Sequence, residues 1–343
     1  MRDVSFELWV DDPPKLVCTP AYFDELVDSG ISGIAIMLDE TSRAWDPRWS
    51  TKQLATVSKL AEARNLYLGL TTWSFPDPAV IAAIERSMLE WTRAFPFHEW
   101  ESDLEFNWQP RMVAGFKAER DGKGRVVRTA LDLAGDRLVE AKRRVRAALH
   151  HCTCFIAVPG PKPGLCASCG KTYFNMAATT LPGHAEGGSR ADVTDRLDLL
   201  WLQCYSTAVR RRRSKESDGK WESWNVPWTH SYGPGRMQTM SLDRALLIPG
   251  IEDGKPRVGV GLAGWSQDWP GHTPDEALSA AVTAARIHPV FHYARPQHVV
   301  YRIWSSKFFL GVKRNHYTKR FVRALMQRPF EAASDPADLP FRQ

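Results

Sequence analysis

The chain has 343 residues, 43% of them hydrophobic and 24% charged, which excludes global disorder and suits one large domain. No apolar run reaches the roughly 18 residues of a membrane-spanning helix. The formal net charge is +6 and the pI about 9.0, which suits an anionic partner: nucleic acid, a membrane surface or a cell-wall polymer.

The N-terminus, "MRDVSFELWVDDPPK", lacks an apolar stretch of the secretory kind, so no signal peptide is expected. A first strand is expected over "VSFELWV" (4–10). "TPAYFDELVDSG" then reads as a helix, with Thr19 as N-cap, Pro20 at the first helical position and Gly30 near the stop. "GIAIML" (33–38) is the second strand, ending at Asp39 and Glu40, two candidate rim acids. "STKQLATVSKLAEARN" carries apolar residues three and four apart and reads as a helix. "LYLGLTTW" (66–73) is the third strand, and "DPAVIAAIERSMLEWTRAF" is the helix after it.

The fourth strand is "HEWESDLEF" (98–106). Glu99, Glu101, Asp103 and Glu105 fall at every second position, so all four share one face. Trp100, Leu104 and Phe106 take the other face and suit contact with helices. "TALDLAGDRLVEAKRRVRAALHH" is a long helix, and "YFNMAAT" (173–179), "LLWLQCY" (199–205), "RVGVGLAGW" (257–265) and "HVVYRIW" (298–304) complete the strands. Short or weak helical patterns lie between these last four.

Eight strands alternating with helices predict a (β/α)8 TIM barrel occupying residues 1–343 as a single domain. An open doubly wound sheet would want a Gly-rich turn after its first strand, and "VDDPPK" is not one. Two segments exceed the minimal unit. Residues 150–172 form a Cys-rich hairpin insertion before strand 5, and residues 206–235 form a long loop after strand 6, on the face where barrel active sites are built. Trp221, Trp224 and Trp228 in that loop either wall a groove or cover the rim.

The insertion carries Cys152, Cys154, Cys166 and Cys169, the second pair within "CASCGK". This spacing suits a structural, tetrahedral zinc; disulfides and free thiols are the other two readings. No catalytic cofactor is expected.

Inward carboxylates in a barrel must be paired, hydrogen-bonded or protonated. Arg302 on strand eight could pair with them. Those nearest the strand's C-terminal end, Asp103 and Glu105, would reach the mouth. Neighbouring carboxylates there raise one another's pKa, which equips one of them to protonate a glycosidic oxygen.

"ESDLE", followed by an aromatic-rich turn, resembles the D-x-E motif of family 25 lysozymes and is similar to the D-x-x-D-x-D-x-E motif of family 18 chitinases. The resemblance implies Glu105 as general acid and Asp103 as the neighbour that orients an N-acetyl group or stabilises the transition state. Glu101 matches the preceding acidic position, where family 18 has Asp. Tyr205 matches the Tyr of the family 18 M-x-Y-D motif, with Ser206 in place of its Asp, and Trp304 matches a Trp that floors the sugar site. Asp11 or Asp12 could serve as the strand-one Asp of family 25, while "GLTTWSF" replaces the Gly-rich third-strand motif of family 18.

Trp73, Trp265 and Trp304 end strands, so with Asn107 they are the expected sugar-binding residues; Glu101, Gln203 and Tyr205 are the expected supporting ones. Together these imply a glycosidase acting on an N-acetylated polysaccharide such as peptidoglycan. The missing leader and the family resemblance imply a bacteriophage lysin in the host cytoplasm, or a tail-associated enzyme with virion partners. A non-catalytic carbohydrate-binding or structural virion protein is the alternative. Nucleic acid is disfavoured as a partner because "KRRVRAALHH" and "RRRRSKESDGK" lie on separate elements and no recognised binding module is present.

Overall fold

The computed structural model describes residues 3–39, 44–103, 112–148, 153–158, 199–203, 207–213, 221–227, 257–263, 298–304 and 306. Eight parallel strands close into a barrel: β1 (Asp3–Val10), β2 (Gly33–Met37), β3 (Tyr67–Thr72), β4 (Glu99–Asp103), β7 (Thr153–Val158), β8 (Leu199–Gln203), β11 (Arg257–Ala263) and β12 (His298–Trp304). They lie in that order, and β12 closes on β1 with Glu7 opposite Arg302. The chain is a (β/α)8 barrel.

After the short α1 (Pro14–Val17), the outer layer contains α2 (Pro20–Asp28), α3 (Thr51–Glu62), α4 (Pro78–Ala94) and α5 (Ala130–Ala148), one between each consecutive pair of the first five barrel strands. Local chemistry fixes their ends. Pro20 opens α2, and Gly30, at φ 79°, lets the chain leave it. Ser50 and Gln53 form a reciprocal capping box on α3. The Asp77 carboxylate accepts from the Ala79 amide at 2.8 Å to start α4.

Strand alternation sorts side chains into two cores. Phe6, Leu8, Ile34, Ile36 and Leu70 face outward and pack with Phe23, Ile84 and Leu138 of the helices. Trp100 joins that outer layer: the Lys142 ammonium of α5 lies 4.2 Å from its ring and donates to its carbonyl at 2.7 Å. Trp9, Ala35, Met37 and Trp201 form a separate cluster inside the barrel. Glycines make room there: a Cβ on Gly259 would stand 2.4 Å from Trp201 Cε3, and one on Gly69 would stand 3.2 Å from Glu99 Cδ.

The fifth barrel strand corrects an expectation. It is Thr153–Val158, paired with β4, and not residues 173–179. Cys154 therefore stands in a barrel strand opposite Trp100. The run "TCFIAV" is apolar, aromatic and β-branched, the composition of a parallel barrel strand. The cysteine spacing masked that signal.

Two hairpins decorate the barrel. β5 (Glu119–Arg120) and β6 (Val126–Arg128) precede α5, turning at Gly124, which has φ 77°. β9 (Thr207–Arg213) and β10 (Trp221–Pro227) form an antiparallel pair in what the sequence suggested was a plain loop after strand six. No helix among the described residues is long and apolar enough to cross a membrane.

Candidate active site at the barrel mouth

The inward acids of β4 meet Arg302 in the barrel interior. Glu99 takes the guanidinium in a two-point grip, with Nη1 to Oε1 at 2.7 Å and Nη2 to Oε2 at 2.8 Å. Nη1 also donates to Glu101 Oε2 at 2.7 Å, while Nε donates to Glu7 Oε2 at 3.0 Å and Nη2 donates to that same oxygen. All five guanidinium N–H groups thus have carboxylate acceptors, which a fully buried arginine requires. Two indoles pack beside it, with ring centroids 4.0 Å (Trp201) and 5.5 Å (Trp9) from Cζ.

Glu101 also accepts from Trp9 Nε1 at 2.9 Å and Thr71 Oγ1 at 3.1 Å. One guanidinium cannot neutralise three carboxylates. Burial raises the Glu101 carboxyl to about 7, with the Arg302 charge opposing and the Glu99 charge adding to the rise. Glu99 and Glu101 are therefore held deep in an ion cluster whose members are at most 7% exposed. Its geometry ties β4 to β1 and β12.

The mouth begins one layer higher. Asp103 ends β4 on the face shared with Glu99 and Glu101. The β3–β4 register, which runs to Thr72 opposite Ser102, carries Trp73 level with Asp103. The β2–β3 register, which runs to Met37 opposite Thr71, carries Asp39 level with Trp73. The Trp73 amide donates to Asp39 Oδ1 at 2.8 Å, consistent with that alignment. Asp39, Trp73 and Asp103 thus form one row across three adjacent strands at the C-terminal rim. All three are buried.

Burial pushes the Asp39 carboxyl up to about 7, against hydrogen bonds from the Trp73 and Asp39 amides and the charge of nearby Arg48. Such a group holds a proton close to neutrality, as acid–base chemistry needs. Further round the rim, Asp11 accepts from Ser306 Oγ at 3.1 Å, and buried Asp12 accepts from the Tyr22 hydroxyl at 3.1 Å.

Of the residues expected from sequence, the structure brings Asp103 and Trp73 together at the rim and places Glu101 below them. Gln203 and Trp304 are the terminal residues of β8 and β12, hence at the same rim by their backbones. Glu105, Asn107, Tyr205 and Trp265 lie outside the described residues, as do Cys152, Cys166, Cys169 and Trp228. Among the described residues no group of three or more His, Cys, Asp or Glu is arranged to hold a metal. Trp9 and Trp201 were missed from sequence; the alternation of "SFELWV", which sets Glu7 and Trp9 on one face, was the available signal for the first.

The sequence matches no family model and no curated protein. Solved structures match the fold at low identity. The C-terminal domain of ChiA from Legionella pneumophila is 12% identical, with a TM-score of 0.50, covering 96% of this chain and 100% of that one. A β-glucosidase from Trichoderma harzianum is 13% identical, with a TM-score of 0.50 and coverage of 86% and 78%. The AHE enzyme from Alicyclobacillus herbarius is 10% identical, with a TM-score of 0.50 and coverage of 89% and 88%.

Proposed function

We propose that the chain is a glycoside hydrolase acting on an N-acetylated polysaccharide, with bacterial peptidoglycan as the substrate. The observation that carries this reading is the row Asp39–Trp73–Asp103 at the C-terminal rim of a closed (β/α)8 barrel. Two carboxylates flank an indole there, and one of them stays protonated up to about pH 7. Flat indoles suit sugar rings, and a protonated Asp39 beside one can donate a hydrogen bond to a sugar hydroxyl. The barrel likeness to a β-glucosidase is compatible with this reading.

In the proposed mechanism Glu105, two residues beyond Asp103 in the alternating series, protonates the leaving oxygen. Asp103 orients the acetamido group or stabilises the oxocarbenium-like centre. Trp73, Trp265, Trp304 and Asn107 hold the sugars, and Gln203 and Tyr205 steady the carboxylates. Glu101, fixed by Arg302, supports β4 from below. The biological setting we propose is a phage lysin or tail-associated wall hydrolase. Structural zinc at Cys152, Cys154, Cys166 and Cys169 belongs to the same proposal, with Cys154 anchored in β7; stoichiometric zinc in the purified protein is the expected result of metal analysis, and its absence would remove it.

Digestion of purified sacculi, with mass analysis of the released fragments, tests the activity. Fragments ending in new reducing sugars are expected. Fragments cut only in the peptide, or binding without release, would refute the hydrolase reading.

A further inference from the structure

The β9–β10 ribbon has a composition unlike the rest of the barrel. Residues 207–227 hold six Lys or Arg against three Asp or Glu. The antiparallel register sets Arg213 opposite Trp221, Arg212 opposite Glu222, Arg211 opposite Ser223 and Arg210 opposite Trp224. Alternation therefore places Arg211, Arg213 and Trp221 on one face, and Arg210, Arg212 and Trp224 on the other. Each face combines two guanidinium residues with one indole residue.

Topology roots this ribbon at the mouth. β8 ends at Gln203 and β9 starts at Thr207. The intervening chain spans at most about 14 Å, so the base of the ribbon stays close to the catalytic rim. A polymer seated across the row Asp39–Trp73–Asp103 would meet it.

We propose that the β9–β10 ribbon binds the negatively charged substituents of an acidic polysaccharide and holds that polymer across the barrel mouth. The inference rests on the glycosidase reading and narrows its substrate to a glycan bearing carboxylate or phosphate groups. Guanidinium groups grip such anions at two points, which lysine cannot do, while indoles accept sugar faces. A nucleic acid could use the same pairing of charge and stacking. The rim argues against it. Asp11, Asp12 and Asp103 stand at or just beyond the C-terminal ends of their strands, and a polymer whose linkages are themselves charged would be repelled there. A glycan can present a neutral bond to those acids and its charged substituents to the ribbon.

The test uses the full chain and three probes: polygalacturonate, neutral mannan and a single-stranded DNA oligonucleotide of matched charge. Wild type is expected to bind polygalacturonate best, with affinity falling as salt rises. R210Q/R211Q/R212Q/R213Q should weaken that binding about tenfold or more, as the sum of several ion pairs to the polymer. The matching quadruple Lys variant keeps the charge and should lose only part, which separates two-point gripping from bulk charge. Unchanged far-ultraviolet dichroism and melting in both variants establish that they fold. Equal binding by wild type and the Gln variant, or tighter binding of DNA than of polygalacturonate, would overturn the proposal. The same titration on E105Q keeps the two readings apart: E105Q should bind as wild type does, whatever its activity.

Discussion

Arg302 and Glu99 meet through two parallel hydrogen bonds, 2.7 and 2.8 Å, with both side chains fully buried in the barrel interior. This pair closes the barrel chemically, since it ties β12 to β4 on the opposite wall. Breaking a buried pair strands charge without solvent. R302M leaves Glu7, Glu99 and Glu101 facing one another and should cost about 3–5 kcal/mol. R302K retains a charge but not the five-donor fork, so it should fall between wild type and R302M. Chemical denaturation of the three proteins checks the order.

Glu101 predicts the pH dependence of stability. Its folded pKa, about 7, lies above the ordinary value of 4.5. Between those values the folded chain binds the proton and the unfolded chain does not. Stability from this group is therefore complete below about pH 4.5 and is lost as pH rises through 7, on the order of 3 kcal/mol across the window. Melting temperature should fall from pH 5 to pH 8, and E101Q should flatten the fall. A wild-type melting point that rises over that range would contradict the assignment.

Asp39 predicts a pH limb in activity. With its carboxyl raised to about 7 by burial, wild-type turnover that uses the protonated form should decline above neutrality. D39N keeps an oxygen for the Trp73 amide and removes the titration. The alkaline limb should vanish in D39N while substrate binding persists. An unchanged limb would assign it to another group.

Gly259 is a packing constraint on the ion cluster. A methyl group there would stand 2.4 Å from Trp201 Cε3 and push the indole that covers Arg302. G259A should cost about 1–3 kcal/mol by overpacking. Pairing it with W201L should recover part of that loss, and a double-mutant cycle measures the coupling.

The alternation of strands and helices was legible because each element carries its own period and caps, as Ser50 and Asp77 show. The inward direction of the β4 acids was legible for the same reason. Arg302 was a visible candidate partner, but its grip on Glu99, 203 residues away, is a tertiary fact. The position of strand five was not legible because a short, continuously apolar run has no period to announce it. The part Asp39 plays depends on burial and on alignment with Trp73, neither of which a linear pattern encodes.

In the proposed mechanism Glu105 supplies the proton and Asp103 assists. Initial rates of reducing-sugar release from purified peptidoglycan by wild type, E105Q and D103N test it most directly. E105Q should lose about a hundredfold or more, with a substantial loss in D103N and both proteins folded. E105Q working at the wild-type rate would contradict it.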